Sequence, residues 1–173
     1  RADHSTPTKP APAIPSGELE KFLHDDPERT SPLIKAALAH VQFETIHPFL
    51  DGNGRVGRLL ITLILCAEGV LREPLLYPSL HFKRNRETYY ERLGSIRLNG
   101  DWEEWLRFFL EAIYETSHEA VVTARQLVDL FQEDRRRVGE RGGRRAASSL
   151  LVLEALRERP IGTVSSLAVR SHL

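Results

Sequence analysis

Residues 47–58 constrain this chain more than any other segment, because they join the end of one helical pattern to the start of another. They read His-Pro-Phe-Leu-Asp-Gly-Asn-Gly-Arg-Val-Gly-Arg. Proline disfavours helical backbone at the residue before it, so the first helix should end near His47. Apolar residues at helical spacing begin directly after the turn. The segment therefore predicts a helix, a tight turn and a second helix that begins near Gly54 or Arg55.

The second helix is predicted to lie at the centre of the fold. Its apolar residues occupy one face at helical spacing, and further apolar residues fill the other faces. They are Val56, Leu59, Leu60, Ile61, Leu63, Ile64, Leu65, Cys66 and Ala67. We therefore expect this helix to be buried on nearly all sides, with Gly69 at its C-terminal cap.

The turn at residues 52–54 should offer a site for an anion. Its backbone N–H groups lie at a helix start, where the helix dipole is positive, and glycine lets a phosphate approach closely. Arg55 and Arg58 are three residues apart, so both guanidinium groups can reach one anion. The Asp51 carboxylate would repel that anion unless Mg²⁺ joined it to phosphate oxygens. The pattern therefore predicts nucleotide phosphates with Mg²⁺.

His47 is the candidate catalytic group beside this turn. An imidazole that projects from a helix end can accept a hydroxyl proton at cellular pH. Taken singly, a histidine, a Gly-Asn-Gly turn or two arginines more often have structural roles, and only the complete string favours catalysis. Phe49 is interpreted as an apolar anchor that holds the loop against the core.

The twelve residues match the signature of the Fic family, His-Pro-Phe-x-Asp/Glu-Gly-Asn-Gly-Arg-x-x-Arg. The resemblance extends over about residues 17–130 and includes the segments 19–24, 82–90 and 100–109. It implies an enzyme that transfers AMP from ATP to a Ser, Thr or Tyr hydroxyl of a target protein, or of itself, and releases pyrophosphate. ATP would be the substrate and Mg²⁺ the metal ion.

The resemblance also implies a role for each position. His47 would deprotonate the target hydroxyl, Asp51 would hold Mg²⁺, and the 52–54 turn would bind near the α-phosphate. Arg55 and Arg58 would hold the β- and γ-phosphates that leave. The implied nucleotide-binding residues are Asp51, Gly52, Asn53, Gly54, Arg55, Val56, Gly57, Arg58, Tyr89 and Tyr90. For the two tyrosines, a place near the adenine and simple core packing are equal alternatives.

The chain is expected to have four parts. They are a proline-rich linker or tail over 1–15, a catalytic core over 16–134, a basic Gly/Arg linker over 135–147 and a partial winged helix-turn-helix over 148–173. No convincing strand pattern appears, so the fold class is all-α: a Fic-type helical bundle around a buried central helix, with a partial C-terminal helix-turn-helix. The chain stops before a recognition helix or wing, so DNA binding is not supported.

Several helix boundaries can also be predicted. The pair at 31–32, Ser-Pro, should open the helix that precedes the signature. Helices are expected over about 83–97 and over 102–131, and Thr163 should cap the last one.

Composition sets further expectations. The 173 residues are 41% hydrophobic and 28% charged, which suffices for one sizeable core with an appendage. The formal net charge of +0 implies no general attraction to nucleic acid or membrane, and the apolar stretch 59–67 is too short to span a bilayer. The single cysteine, Cys66, excludes an intrachain disulfide and favours a reducing compartment, so we expect a cytoplasmic location. A homodimer is possible.

Other functions remain open at this stage. The alternatives are a Fic-type transferase that uses another nucleotide donor or removes AMP, and a catalytically idle nucleotide-binding module. The Gly-Asn-Gly turn disfavours the related Doc-type kinases, in which a bulkier, basic sequence replaces it. His40 could form a metal pair with His47, although two ligands alone are a weak signal. Glu44 could orient His47, but a surface carboxylate is the more ordinary interpretation.

A regulatory element of the family is missing from the sequence. Many Fic proteins carry an inhibitory glutamate in a Ser/Thr-x-x-x-Glu-Gly/Asn motif, which pairs with the second arginine of the signature. The nearest segment here, 16–20, is followed by lysine and is not a full match. The chain has no methionine and begins with Arg1, so we expect it to be part of a longer protein. We therefore expect an unpaired Arg58 and no intrinsic inhibition.

Overall fold

The structure is a computed structural model that describes residues 16–24 and 29–173. Throughout this part of the chain, all regular elements are helical. They are α1 (Ser16–Leu23), α2 (Pro32–Ile46), α3 (Asn53–Ala67), α4 (Pro78–Arg84), α5 (Arg86–Asn99), α6 (Trp102–Arg141), α7 (Ala146–Glu158) and α8 (Val164–Ser171), with a short 3-10 turn at Gly143–Arg145. The prediction of an all-α fold is confirmed. The predicted tail over 1–15 lies outside the described residues.

The chain divides into two compact units, of which the first ends at Ala120 and the second comprises Val121–Leu173. The first unit contains the main apolar core. Its buried members are Ala36, Ala37, Ala39, Val41, Ile61, Ile64, Leu65, Leu76, Phe82, Tyr89, Leu93, Ile96, Trp105, Phe108, Phe109 and Ala112. Burial of large aromatic side chains is the main source of stability in such a core.

The contact between α2 and α3 forms the frame of the site. Ser31 is the N-cap of α2 and Pro32 its first residue, as predicted. Three small residues of α2, Ala36, Ala37 and Ala39, are fully buried in the core. The two helices pack against each other more extensively than any other pair described in the structure. The signature segment between them is therefore held from both sides by packed helices.

The prediction that α3 is buried on nearly all sides is wrong. The helix buries one face, which carries Asn53, Gly57, Ile61, Thr62, Ile64 and Leu65. On the other side Val56, Leu59 and Leu63 are exposed. An apolar pattern on several faces cannot reveal whether each face has a packing partner, and here the core covers only one. The predicted C-terminal stop is confirmed, because Gly69 adopts a φ of 71° directly after the C-cap residue Glu68.

The helix expected over 83–97 is two helices in the structure. The break falls at Asn85, whose φ of −109° and ψ of 44° leave the helical region. Its side-chain amide donates to the His81 carbonyl oxygen at 3.1 Å, which caps α4 from within. Gly100 then ends α5 in the left-handed conformation with a φ of 70°. The break places α4 and α5 as separate walls beside the signature.

In the second unit, the predicted basic linker is partly helical, because α6 continues to Arg141. Arg136 bridges Glu133 and Glu140 at 2.7 Å each, and Arg137 also contacts Glu133 at 2.8 Å. Such pairs at three- and four-residue spacing stabilise a helix, which explains why the basic run does not break it.

The last two helices form a pair in which α7 packs on α8. The predicted cap of α8 is confirmed, since the Thr163 hydroxyl accepts the Ser166 N–H at 3.2 Å. The outer boundaries of the four predicted parts stay predictions. Although α6 is long, neither it nor another described helix carries the apolar stretch that a membrane crossing requires.

Candidate functional site

His47 ends α2 in an unusual backbone conformation. Its φ of 50° and ψ of 56° are left-handed, and its N–H donates to the Phe43 carbonyl oxygen at 2.9 Å. The residue leaves the helical region before Pro48 as predicted, although in the left-handed rather than the extended region. Positive φ is uncommon for residues other than glycine and often marks a functional constraint. His47 is exposed, so its imidazole is accessible to a second molecule.

Asn53 holds the loop that follows His47. Its side-chain oxygen accepts the Phe49 N–H at 2.9 Å, and its amide donates to the Phe49 carbonyl oxygen. Asn53 is 2% exposed, whereas the Phe49 side chain is 51% exposed. The Phe49 ring packs against the Phe43 ring, with centroids 6.2 Å apart, but half of the residue is exposed, so the predicted apolar anchor is only partial. The amide of Asn53 shapes the turn in this structure.

The Gly-Asn-Gly turn leads into α3 through Gly52, which has a φ of 84° and is the N-cap. The helix begins at Asn53, one residue before the predicted start at Gly54 or Arg55. The first N–H groups of a helix have no partner within it and carry the positive end of its dipole. The predicted arrangement of a glycine turn at a helix N-terminus is thus present.

The two signature arginines border this turn. Arg55 Nη2 lies 3.5 Å from where a Cβ on Gly52 would stand, and Arg58 Nη1 lies 3.1 Å from the same point on Gly54. Arg55 forms an ion pair with Asp51 at 3.3 Å, in which both side chains are strongly exposed. Arg58 forms no ion pair with any carboxylate in the part of the chain that the structure describes. An anion at the turn would therefore meet two guanidinium groups.

Glu44 is a site residue that sequence reasoning underrated. Its Oε1 atom is buried without a hydrogen-bond partner among the described residues, and it lies 2.6 Å from where a Cβ on Gly57 would stand. Burial raises the pKa of the Glu44 carboxyl, while the charges of Arg58, His47 and Arg97 oppose the rise. Glu44 is therefore not a surface carboxylate, and its spacing from His47 was the available signal.

A cavity of about 300 Å³ adjoins the signature. Its lining residues are Arg58, Ser79, Phe82, Lys83, Arg86, Tyr89 and Tyr90. The Arg86 guanidinium lies 5.6 Å from the centre of the Tyr90 ring, a cation–π contact. Ser79, Lys83 and Arg86 were not predicted as site residues, although the basic character of 83–86 was visible in the sequence. The cavity combines three cationic side chains with aromatic walls.

The two predicted tyrosines have different environments. Tyr89 is 3% exposed and its ring belongs to the core, but its hydroxyl contacts His40 Nε2 at 2.9 Å. Tyr90 is 55% exposed and borders the cavity. Core packing therefore describes most of Tyr89, whereas Tyr90 is accessible to a ligand.

His40 is not among the predicted site residues, but it contacts the signature at Gly57. The side chain is fully buried, and its Nδ1 atom contacts the Gly57 carbonyl oxygen at 2.8 Å. Burial lowers the pKa of His40 to about 4, the Gly57 carbonyl opposes this, and the charge of Arg58 adds to it. Both ring nitrogens have protein partners, so the alternative of a metal pair with His47 is wrong. The described residues also contain no cluster of three or more metal-ligating side chains.

Comparison with known proteins identifies the family. The sequence pattern of the Fic/DOC family matches residues 1–65, which include the whole signature. The chain is 32% identical to the Protein adenylyltransferase Fic of Nematostella vectensis over 142 residues, which are 72% of this chain and 31% of that protein. The proteins of the same name from Drosophila yakuba and Drosophila melanogaster are each 35% identical over 99 residues, or 57% of this chain and 19% of theirs.

The part of the chain that carries the signature, residues 1–65, matches the Fic/DOC family. The chain spans less than a third of the length of these relatives. The activity in the name of these relatives therefore serves as the basis of a proposal about this chain.

Proposed function

We propose that the chain is a protein adenylyltransferase, which transfers AMP from ATP to a hydroxyl group of a target protein or of itself. The observation that carries this proposal is the juxtaposition at the signature. An accessible His47 at a helix end, the glycine turn 52–54 at a helix start and the two arginines lie in one segment beside a cationic cavity. The name of the matched relatives supports the same activity.

In the proposed reaction, His47 accepts the proton of the target hydroxyl. The hydroxyl oxygen forms a bond to the α-phosphorus, and the bond from that phosphorus to the oxygen of the β-phosphate breaks. Pyrophosphate leaves with its negative charge neutralised by Arg55 and Arg58, which border the turn. Since little covalent chemistry falls to the protein, positioning and charge neutralisation supply most of the rate enhancement.

Asp51 is the residue that would hold Mg²⁺. Its carboxylate is strongly exposed and is shared only with the exposed Arg55 among the described residues. One carboxylate together with substrate phosphates suits Mg²⁺, which retains several water ligands and does not require a full protein cage. When bound, the ion would neutralise phosphate charge. The protein residues thus fit a metal ion that enters with the nucleotide.

The nucleotide would extend from the turn into the cavity. Arg58 belongs to both, so it would contact the distal phosphates at the mouth of the cavity. Tyr90 and Arg86 offer an aromatic face and a cation that suit a purine ring. The volume of about 300 Å³ lies at the lower end of the range of ligand pockets.

Partners follow from the activity. The proposed partners are ATP and a protein with an accessible hydroxyl side chain, and a homodimer is possible. The α7–α8 pair alone gives no support for DNA binding. A reducing, cytoplasmic location remains the proposal from the single cysteine, Cys66, which is free.

Labelled ATP tests the proposal directly. The chain is incubated with Mg²⁺ and either α-³²P-ATP or γ-³²P-ATP, and protein-bound label is measured beside a His47→Ala control. Label from the α-position alone is the expected result. Label from the γ-position alone would replace the proposal with a kinase, and nucleotide binding without label would favour an idle binding module. Repeating the assay with α-labelled GTP, CTP and UTP decides whether another donor is used.

A further inference from the structure

A buried pair of hydrogen bonds made by His40 near the site has no part in the proposed reaction. His40 is fully buried in α2 and packs against the rings of Phe82 and Trp105, with centroids 6.0 and 5.8 Å away. Its Nδ1 contacts the Gly57 carbonyl oxygen at 2.8 Å, and its Nε2 contacts the Tyr89 hydroxyl at 2.9 Å. The imidazole therefore links α2, α3 and α5 by two hydrogen bonds inside an apolar core.

The direction of both hydrogen bonds follows from the donor inventory. The Gly57 carbonyl oxygen can only accept, so Nδ1 must carry the hydrogen. A neutral imidazole carries one hydrogen on its ring nitrogens, so Nε2 accepts. The Tyr89 hydroxyl must then donate to His40. Burial without a carboxylate partner disfavours the charged form of His40, which keeps this order of hydrogens.

This order leaves the Tyr89 oxygen free to act as an acceptor. Tyr89 and Arg58 line the same cavity, and Arg58 follows Gly57 in the chain. A guanidinium group only donates, so it needs an oxygen whose hydrogen points elsewhere. The two side chains lie close enough for the charge of Arg58 to oppose the rise in the Tyr89 pKa that burial causes. With the opposite tautomer of His40, the Tyr89 hydrogen would be turned toward Arg58, and the phenol could not accept from the guanidinium.

We propose that His40 is a positioning residue for Arg58: as a neutral Nδ1–H tautomer it makes the Tyr89 hydroxyl an acceptor that orients the Arg58 guanidinium at the mouth of the cavity. The same imidazole fixes the carbonyl of Gly57, the residue before Arg58, so it constrains both the backbone and the tip of that arginine. The consequence for the distal phosphates rests on the proposed function. The hydrogen-bond order itself does not.

Nuclear magnetic resonance tests the order without any nucleotide. Long-range ¹H–¹⁵N spectra of the full chain should show His40 as the neutral Nδ1–H tautomer from about pH 5.5 to 8. Tyr89→Phe should shift the His40 Nε2 resonance and leave Nδ1 protonated. An Nε2–H tautomer, or titration of His40 within this range, would overturn the proposal.

The Arg58 side chain provides the second readout. Its Nε–H resonance, assigned by comparison with Arg58→Lys, should be sharp in the wild type and exchange-broadened in Tyr89→Phe and His40→Asn. The asparagine can still donate to the Gly57 carbonyl but cannot reach Tyr89, whereas His40→Gln places an amide oxygen near the tyrosine hydroxyl. The glutamine variant should therefore retain the sharp signal. An unchanged Arg58 signal in Tyr89→Phe, which keeps the packed ring, would show that no positioning occurs.

Titration calorimetry links the arrangement to nucleotide binding. Tyr89→Phe and His40→Asn should each lower the affinity for ATP by roughly three- to tenfold, as expected for one lost hydrogen bond. The affinity for AMP should change by less than about twofold. The double variant should be no weaker than the worse single variant, because both remove the same contact. Equal losses for ATP and AMP, or additive losses, would mean a merely structural histidine. If the wild type fails to prefer ATP, the phosphate assignment of the proposed function fails, and the resonance experiments still decide the role of His40.

Discussion

Replacing Gly57 by alanine tests the steric fit between α2 and α3 at the site. A Cβ at Gly57 would lie 2.6 Å from Glu44 Oε1 and 3.1 Å from Phe43 Cδ1. The first distance is well inside van der Waals contact. The clashing atom is the end of a flexible side chain and can move, but Glu44 is half-buried near the charge of Arg58, so its movement would disturb the site. The substitution should therefore destabilise the fold and disturb the position of the Arg58 side chain.

The magnitude follows from two opposing effects. Alanine in a helix interior gains about 0.5–1 kcal/mol over glycine. Overpacking in a tight core costs about 1–3 kcal/mol. The net result for Gly57→Ala should be a destabilisation of about 0–2.5 kcal/mol. Gly94→Ala is the matched control, because no atom lies within 4 Å of a Cβ there, and it should stabilise the fold by about 0.5–1 kcal/mol.

Urea unfolding followed by circular dichroism measures both variants, with equal slopes required for the comparison. Removing the clashing carboxylate in a Gly57→Ala, Glu44→Ala double variant should recover part of the loss, since the two side chains share one space. If Gly57→Ala proves as stable as Gly94→Ala, the close approach of Glu44 to α3 is not a constraint and the steric reasoning fails.

Four further outcomes are expected. His47→Ala should lower transfer by about 10²–10⁴-fold and leave ATP affinity nearly unchanged, and normal activity would refute its role as base. Asp51→Ala should leave a residual activity that no longer responds to Mg²⁺ titration. Arg58→Ala should lower the affinity for ATP more than the affinity for AMP in calorimetry, whereas equal losses of affinity would contradict the placement of Arg58 at the distal phosphates. Glu44 has a raised pKa, so folding favours its protonated form and its contribution declines as pH rises through the folded pKa. Glu44→Gln should therefore gain stability over wild type at neutral pH, and the gain should shrink in acid.

The signature could be predicted in detail because its determinants are local. Pro48 ends α2, Gly52 supplies a positive φ, and the apolar pattern begins immediately afterwards. Thr163 at the start of α8 is a similar case, since a cap depends only on the residues that follow it. The sequence also predicted α6 as one continuous apolar pattern as far as residue 131, although the helix continues to Arg141. Local signals therefore sufficed for the helices and for the order of groups at the turn.

What escaped prediction depends on partners far away in the chain. His40 meets Tyr89 across 49 positions, and no spacing rule connects them. The buried Glu44 Oε1 lies against Gly57 of another helix, where a side chain would leave no room for it. The exposed side of α3 is a related case, since the sequence shows apolar faces but not which of them find cover. The break at Asn85 is a local case. It was missed because the apolar pattern does not show that the Asn85 side-chain amide also donates to the His81 carbonyl oxygen.

The way Asn53 is held also bears on how this protein ages chemically. Asn53 precedes Gly54, and asparagine before glycine is the sequence most prone to deamidation, which requires the glycine nitrogen to attack the side-chain carbonyl. In the folded chain that carbonyl accepts the Phe49 N–H, the side chain is almost fully buried, and the backbone is the first turn of α3. Deamidation must therefore await an opening of the turn. The resulting aspartate could no longer donate to Phe49 and would add a negative charge where phosphates are proposed to bind. Molecules in which the turn opens repeatedly would therefore accumulate an aspartate at position 53.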